Sequence, residues 1–166
     1  RAFPVGVGRW GFETPLGTFR VIRKVTDPGW ENPYKPGGME QMTPGEANPL
    51  GSRWIGFHRN DKGEFGIHGT NKPGSVGQFV SHGCIRMKTS DVETLFEMIE
   101  TGTPVEIVYQ PVLIRQVGSE IHVVYHPDAL GKGVPNAEQL KRDILDSHPG
   151  AQVDMTRLRE SLRSAK

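Results

Sequence analysis

Twenty-one glycines and thirteen prolines punctuate this chain, about a fifth of its 166 residues. That density is high for a helical bundle and has no collagen-like period, so it favours a loop-rich, β-rich fold. Between residues 27 and 51 stand Pro28, Pro33, Pro36, Pro44 and Pro49, which exclude a helix or a central strand. A structureless run of such length in a compact domain is either a functional lid or a variable surface loop. Trp30, Tyr34, Met39 and Met42 favour the lid.

The rest of the chain reads as short elements between turns. Residues 18–25 alternate, with Phe19 and Val21 opposed to Arg20 and Ile22, which predicts one strand packed on both faces. Residues 53–58 and 64–67 predict two strands around the turn Asn60-Asp61-Lys62-Gly63. Ser90 and Glu93 form a capping-box pattern ahead of Val92, Leu95, Phe96 and Ile99, and Gly102 ends that helix. Residues 104–109 predict a strand. After Pro111 the character shifts to a hairpin through Gly118-Ser119 and two polar, amphipathic helices over 136–146 and 154–164. The fold expected is mainly β, with one packed helix and a C-terminal α/β appendage. The expected division is 1–111 and 112–166, with the appendage docking on the first domain.

Charge narrows the partners. Twenty Lys and Arg against nineteen Asp and Glu leave a net charge of +1, which gives no electrostatic case for nucleic acid or an anionic membrane surface. No apolar run approaches the roughly 20 residues that cross a bilayer. The chain begins at Arg1, without Met, and shows no signal peptide. Because that start is not a natural initiator, it carries no information about export. Cys84 is the single cysteine, so an intramolecular disulfide framework and a Cys-rich zinc module are excluded.

The residues around Cys84 carry the chemistry. Ile67-His68-Gly69-Thr70 and Ser81-His82-Gly83-Cys84-Ile85-Arg86-Met87 place two histidines and the thiol within 17 positions. A thiol becomes a strong nucleophile when it loses its proton, and an imidazole is the usual base. His82 stands two positions before Cys84, on the same face if the segment is extended. Gly83 permits a tight turn, whose amides could stabilise an oxyanion. Spacing alone leaves three readings open: a catalytic thiol, a hydrogen-bonded histidine pair in the core, and a metal site completed by His58 or Glu64.

The full pattern resembles the signature of the L,D-transpeptidase catalytic domain, the YkuD-type family: a His-Gly, a glycine-rich spacer, then Ser/Thr-His-Gly-Cys. The resemblance extends to Thr14-Pro15-Leu16-Gly17-Thr18-Phe19, to Asn48-Pro49-Leu50-Gly51 with Arg53-Trp54-Ile55, and to Gly102-Thr103-Pro104-Val105. The segment after Pro111 looks like the C-terminal extension of the periplasmic branch (ErfK/YbiS/YcfS/YnhG-like). The resemblance implies a sandwich- or barrel-like β fold that normally begins with a strand hairpin, and it sets the expected start of this chain after that hairpin. It implies a nucleophile at Cys84, a base at His68 oriented by the Gly69 carbonyl, and a second histidine at His82 with a structural or electrostatic role. An oxyanion hole falls at Gly83 and Cys84, and a turn-bracing hydroxyl at Ser81. Arg86 would bind a substrate carboxylate or hold structure, and Trp54 would line the groove or fill the core.

The implied reaction acts on peptidoglycan stem peptides outside the cytoplasm, in the periplasm or at the cell wall, through a thioester at Cys84. The acceptor is a diamino-acid amine, a lysine of an envelope lipoprotein, or water. No metal or organic cofactor is implied, and carbapenems acylate the thiol in this family. A hydrolase of the same bonds and a non-catalytic wall-binding module are the alternatives.

Overall fold

Four consecutive residues, from Trp54 through Phe57, are buried, as in a strand covered on both faces. The computed structural model describes residues 1–31, 41–61, 63–126 and 128–164. They form two compact units, Arg1–Val108 and Tyr109–Lys166. In chain order the first unit contains β1 (Val7–Gly8), β2 (Gly17–Arg20), β3 (Arg23–Thr26), β4 (Trp30–Glu31), β5 (Gln41–Met42), β6 (Arg53–Asn60) and β7 (Gly63–His68). A short 3-10 turn, Pro73–Ser75, precedes β8 (Phe79–Ser81), β9 (Ile85–Arg86), α1 (Thr89–Met98) and β10 (Pro104–Ile107).

The main sheet has the order β3-β6-β7-β9, with β6 antiparallel to β3 and β7, and β9 parallel to β7. Between Gly56 and His58 the β6–β7 register slips, so Phe57 is an extra residue on β6; such a bulge bends a strand. Two-stranded ladders join β1 to β8, β2 to β10 and β4 to β5. The core is Val21, Ile55, Met87 and Val92, with Ile67, Leu95, Phe96, Ile99 and Val105 packed against it. α1 turns Val92 inward and packs on β6 and β7.

The mainly β expectation holds, and local readings shift. The strand expected over residues 18–25 is two strands. Val21 N–H donates to Thr103 and Ile22 N–H to Gly56, so the chain passes there from the β10 ladder to the β6 ladder. The capping box does not form. Lys88 occupies the N-cap position without a side-chain bond. Ser90 is inside the helix, and Glu93 accepts a 2.7 Å hydrogen bond from Ser52 Oγ instead. The helix stops at Met98, before Gly102, and Lys24 Nζ donates to the Ile99 carbonyl at 2.7 Å, a cation at the negative helix end.

The segment over residues 27–51 is held at both ends. Its β4 and β5 pair, and Asn48, buried, donates to the Pro28 and Thr43 carbonyls and accepts from Leu50 N–H. Tyr34 and Met39, invoked for a lid, lie outside the described residues, as does Lys62 of the expected turn.

The second unit contains β11 (Val112–Val117), β12 (Glu120–Tyr125), α2 (Ala137–Ser147) and α3 (Met155–Ser164). The expected hairpin forms, with Gly118 at positive φ in its turn. Asn136 caps α2 by accepting from Gln139 N–H, and Asp154 accepts from Thr156 and Arg157 N–H at the start of α3. Val112, Leu140, Ile144 and Leu158 form this unit's own core.

Ile55 is 0% exposed at the centre of the first core. Ile55→Ala removes buried methyl groups and leaves a cavity, a loss of about 2–5 kcal/mol, read as a lower denaturant midpoint with an unchanged slope.

Candidate active site

β7 ends in His68, and its parallel neighbour β9 begins one residue after Cys84. Their register aligns Ile67 with Ile85 and His68 with Arg86. A 2.9 Å bond from Met87 N–H to the His68 carbonyl extends that pairing. Cys84 stands just ahead of β9, and its thiol meets the β7 backbone upstream of His68. Its Sγ lies 3.9 Å from the Glu64 carbonyl oxygen, which accepts from the thiol. Burial pushes the Cys84 thiol above its ordinary value; a hydrogen bond with the Gly66 backbone and the charge of Arg86 oppose this, and Glu64 adds to it.

His68 is 4% exposed. Its Nδ1 sits 2.5 Å from the Gly69 carbonyl oxygen. A carbonyl only accepts, so Nδ1 carries the proton and Nε2 the basic lone pair. Burial lowers the imidazole to about 4; the Gly69 hydrogen bond resists that fall, and the Arg86 charge adds to it. The Gly69 backbone is itself wedged. A Cβ on Gly51, which has φ +65°, would stand 2.9 Å from the Gly69 Cα.

The turn between β8 and β9 is built on Ser81, 2% exposed. Its Oγ donates to the Cys84 carbonyl at 2.5 Å and accepts from Gly83 N–H at 3.1 Å. Gly83 has φ +109°, and a Cβ there would meet the Phe65 ring at 2.5 Å, so only glycine fits without strain. His82 is exposed at the mouth of this turn. Arg9 NH2 lies 2.9 Å from its Nε2, and Phe12 packs edge-on against its ring. Because a guanidinium only donates, His82 Nε2 accepts. Burial, then the charges of Arg9 and Arg86, lower the His82 pKa.

Arg86 acts electrostatically on His68, His82 and Cys84, and its Nε is buried without a hydrogen-bond partner. Trp54, opposite His68 in the β6–β7 ladder, is 7% exposed; its indole stacks on the imidazole at 5.7 Å and donates to Glu64. Of the three residues named for substrate, Ser81, Arg86 and Trp54, Ser81 is buried and braces the turn, and Trp54 is buried against the imidazole.

Sequence reading missed Arg9 and assigned Glu64 only to a conceivable metal site. Glu64 instead binds Trp54, Arg23 and Arg59. Burial raises its pKa, but the hydrogen bonds from Arg23, Arg59 and Trp54 outweigh that and hold the carboxylate below its usual range. His58 packs between Phe19 and Phe65. Among the described residues no three His, Cys, Asp or Glu side chains are grouped as a metal ligand set. A cleft of about 430 Å³ lies beside Thr70 and Asn71, with Asp27 and Glu46 in its wall. A groove of about 1100 Å³ belongs wholly to the second unit and touches neither Cys84 nor His68.

Comparison with known proteins identifies the family. Residues 1–107 match the family model of the YkuD L,D-transpeptidase catalytic domain. YqjB of Bacillus subtilis, an L,D-transpeptidase by name, is 43% identical over 107 residues, covering 63% of this chain and 57% of its own length. ErfK/SrfK of Salmonella typhimurium, also an L,D-transpeptidase by name, is 32% identical over 178 residues, with 96% of this chain and 56% of its own covered. The chain spans about half the length of the curated relatives it matches. Among solved structures, a mutant of Enterococcus faecium L,D-transpeptidase with serine in place of a cysteine superposes with TM-score 0.50 at 26% identity, covering 63% of this chain and 39% of the other. With the matched region holding the whole His68 and Cys84 constellation, the chain belongs to the YkuD family of L,D-transpeptidase catalytic domains.

Proposed function

We propose that this chain performs cysteine-dependent L,D-transpeptidation on bacterial peptidoglycan stem peptides. The observation that most supports this is a buried imidazole at the end of β7, its Nδ1 held by Gly69, and a single thiol just ahead of the neighbouring strand β9. Residues 1–111 are the catalytic domain in this reading, and 112–166 an extension. Work on peptidoglycan places the chain outside the cytoplasm, in the periplasm or at the cell wall. Among the described residues no helix is long and apolar enough to cross a membrane.

The chemistry follows from the two protonation states. With the imidazole at about 4 and the thiol above its ordinary value, the resting pair is uncharged thiol and uncharged imidazole. The thiolate therefore forms as the substrate reacts. His68 Nε2 takes the Cys84 proton while Sγ attacks the carbonyl after the diamino acid at the third stem position. The oxyanion is received by the Cys84 amide; the Gly83 N–H, expected to share that role, donates instead to Ser81 Oγ and braces the turn. Collapse expels the amine of the terminal D-alanine, which leaves with the His68 proton, and a thioester remains. An acceptor amine then attacks the thioester and gives its proton to Nε2; the C–S bond breaks, and the departing Cys84 sulfur takes that proton back from His68. That amine belongs to a second stem peptide or to an envelope lipoprotein, and water in its place makes the reaction hydrolytic. His82, held by Arg9, supports the mouth of the site, and Arg86 faces the carboxylates of the stem peptide.

A carbapenem tests the reading. Intact-mass spectrometry should show one covalent adduct on the folded protein and none on Cys84→Ala, whose thiol-to-methyl change costs little packing. An adduct on the Ala variant, or none on the folded parent, would falsify the assignment.

The pH profile of acylation tests the base. His68 acts only when neutral, so the rate should hold above about pH 5 and fall as pH drops through about 4. His68→Ala should lose about 10²–10⁴ in rate and its acid limb with it. Near-parental rates in that variant would mean that another group takes the proton.

A further inference from the structure

Forming a cation on His68 is costly where this residue sits. The side chain is buried, Nδ1 is bonded to a neutral carbonyl, and the charge of Arg86 from β9 opposes protonation. Acyl transfer in the reading above nevertheless passes through an imidazolium. A group that favours that cation has to stand close to the ring, and the structure contains one.

Trp54 and His68 are direct cross-strand partners on one face of the β6–β7 ladder. Their rings stack, with centroids 5.7 Å apart and planes 19° apart. The face of an indole is the electron-rich surface that attracts a cation, and the attraction grows when both groups are desolvated. Two glycines make room for this arrangement. A Cβ on Gly66 would enter the indole at 2.6 Å, and one on Gly56 would meet Glu64 Oε1 at 2.1 Å.

The indole is also held. Its Nε1–H donates to Glu64 Oε1 at 2.8 Å. The same carboxylate is clamped by Arg23 at 2.8 Å and Arg59 at 2.7 Å. A hydrogen bond to an ionised acceptor is stronger than a neutral one and polarises the donor ring toward higher electron density. Through its main chain Glu64 reaches the other reactant, because its carbonyl accepts from the Cys84 thiol. One residue therefore touches the thiol directly and the imidazole through a tryptophan.

We propose that Trp54 and Glu64 are positioning residues for His68: the indole face, set by the Glu64 hydrogen bond, stabilises the imidazolium that forms during acyl transfer. This rests on the proposed acyl-transfer function. The charged groups that act on the pair are Arg86 from β9 and, at the indole, Glu64 of β7 with Arg23 of β3 and Arg59 of β6. Arg86 works against the cation on His68, and the indole works for it.

Three variants of the full chain separate this role from simple packing. Trp54→Phe keeps an aromatic face without the N–H, Trp54→Leu removes the face, and Glu64→Gln keeps an acceptor without the charge. Two quantities are read: the rate of carbapenem acylation at neutral pH, and the His68 titration midpoint by NMR in a Cys84→Ala background. Trp54→Leu should acylate about ten- to thirtyfold more slowly, and its His68 midpoint should fall. Trp54→Phe should recover the rate to within about threefold and restore the midpoint, and Glu64→Gln should fall between the two.

A folded Trp54→Leu protein with parental rate and midpoint overturns the proposal. So does an unmoved midpoint with Phe and Leu equally slow, which is the signature of packing alone. Should Trp54→Leu not fold, Glu64→Ala takes its place, since it releases the indole while keeping it. A lowered midpoint there supports the proposal and an unchanged one overturns it. A parent that forms no carbapenem adduct defeats the acyl-transfer reading, while the midpoints still decide whether the indole favours the cation.

Discussion

The parallel pairing of β7 with β9 is the constraint on which the rest of the site depends. It is short, aligning only Ile67 with Ile85 and His68 with Arg86. Parallel neighbours need a long connection, and here it runs from Gly69 through β8 and the Ser81 turn. That route returns the chain beside its own imidazole with a thiol one residue ahead of the new strand. Gly6 exchanges both backbone hydrogen bonds with Arg86 at 2.8 Å, so the short strand is gripped from its other side as well. The active-site arrangement is therefore a property of backbone pairing first and of side chains second.

Each reactive group is then supported from below. Ser81 fixes the turn by accepting from Gly83 and donating to Cys84. Gly69 fixes the His68 tautomer, and Trp54 fixes the plane of its ring. These supports are neutral, and the charge of Arg86 disfavours protonated histidine. Burial raises the thiol and lowers the imidazole, which in the proposed reaction suits a nucleophile that is to react with substrate and not with passing oxidants.

Much of this was legible in the sequence because it is written in local chemistry. The His-Gly and Ser-His-Gly-Cys stretches, the hairpins around Gly63 and Gly118, and the two C-terminal helices depend on near neighbours. What stayed hidden depends on distant partners. Ser90 and Glu93 carry a capping pattern, yet Ser52, 41 positions from Glu93, claims the carboxylate. Residues 18–25 alternate like one strand, but their two halves belong to different ladders. Glu64 follows a hairpin turn, a usual place for a solvated charge, and only the fold brings Trp54, Arg23 and Arg59 around it.

The close approach of Gly51 to Gly69 has a steric consequence. Even one methyl group on Gly51 would collide with the Gly69 backbone, and Gly69 offers the carbonyl that grips the imidazole. The missing side chain at residue 51 is therefore part of what holds the ring of His68.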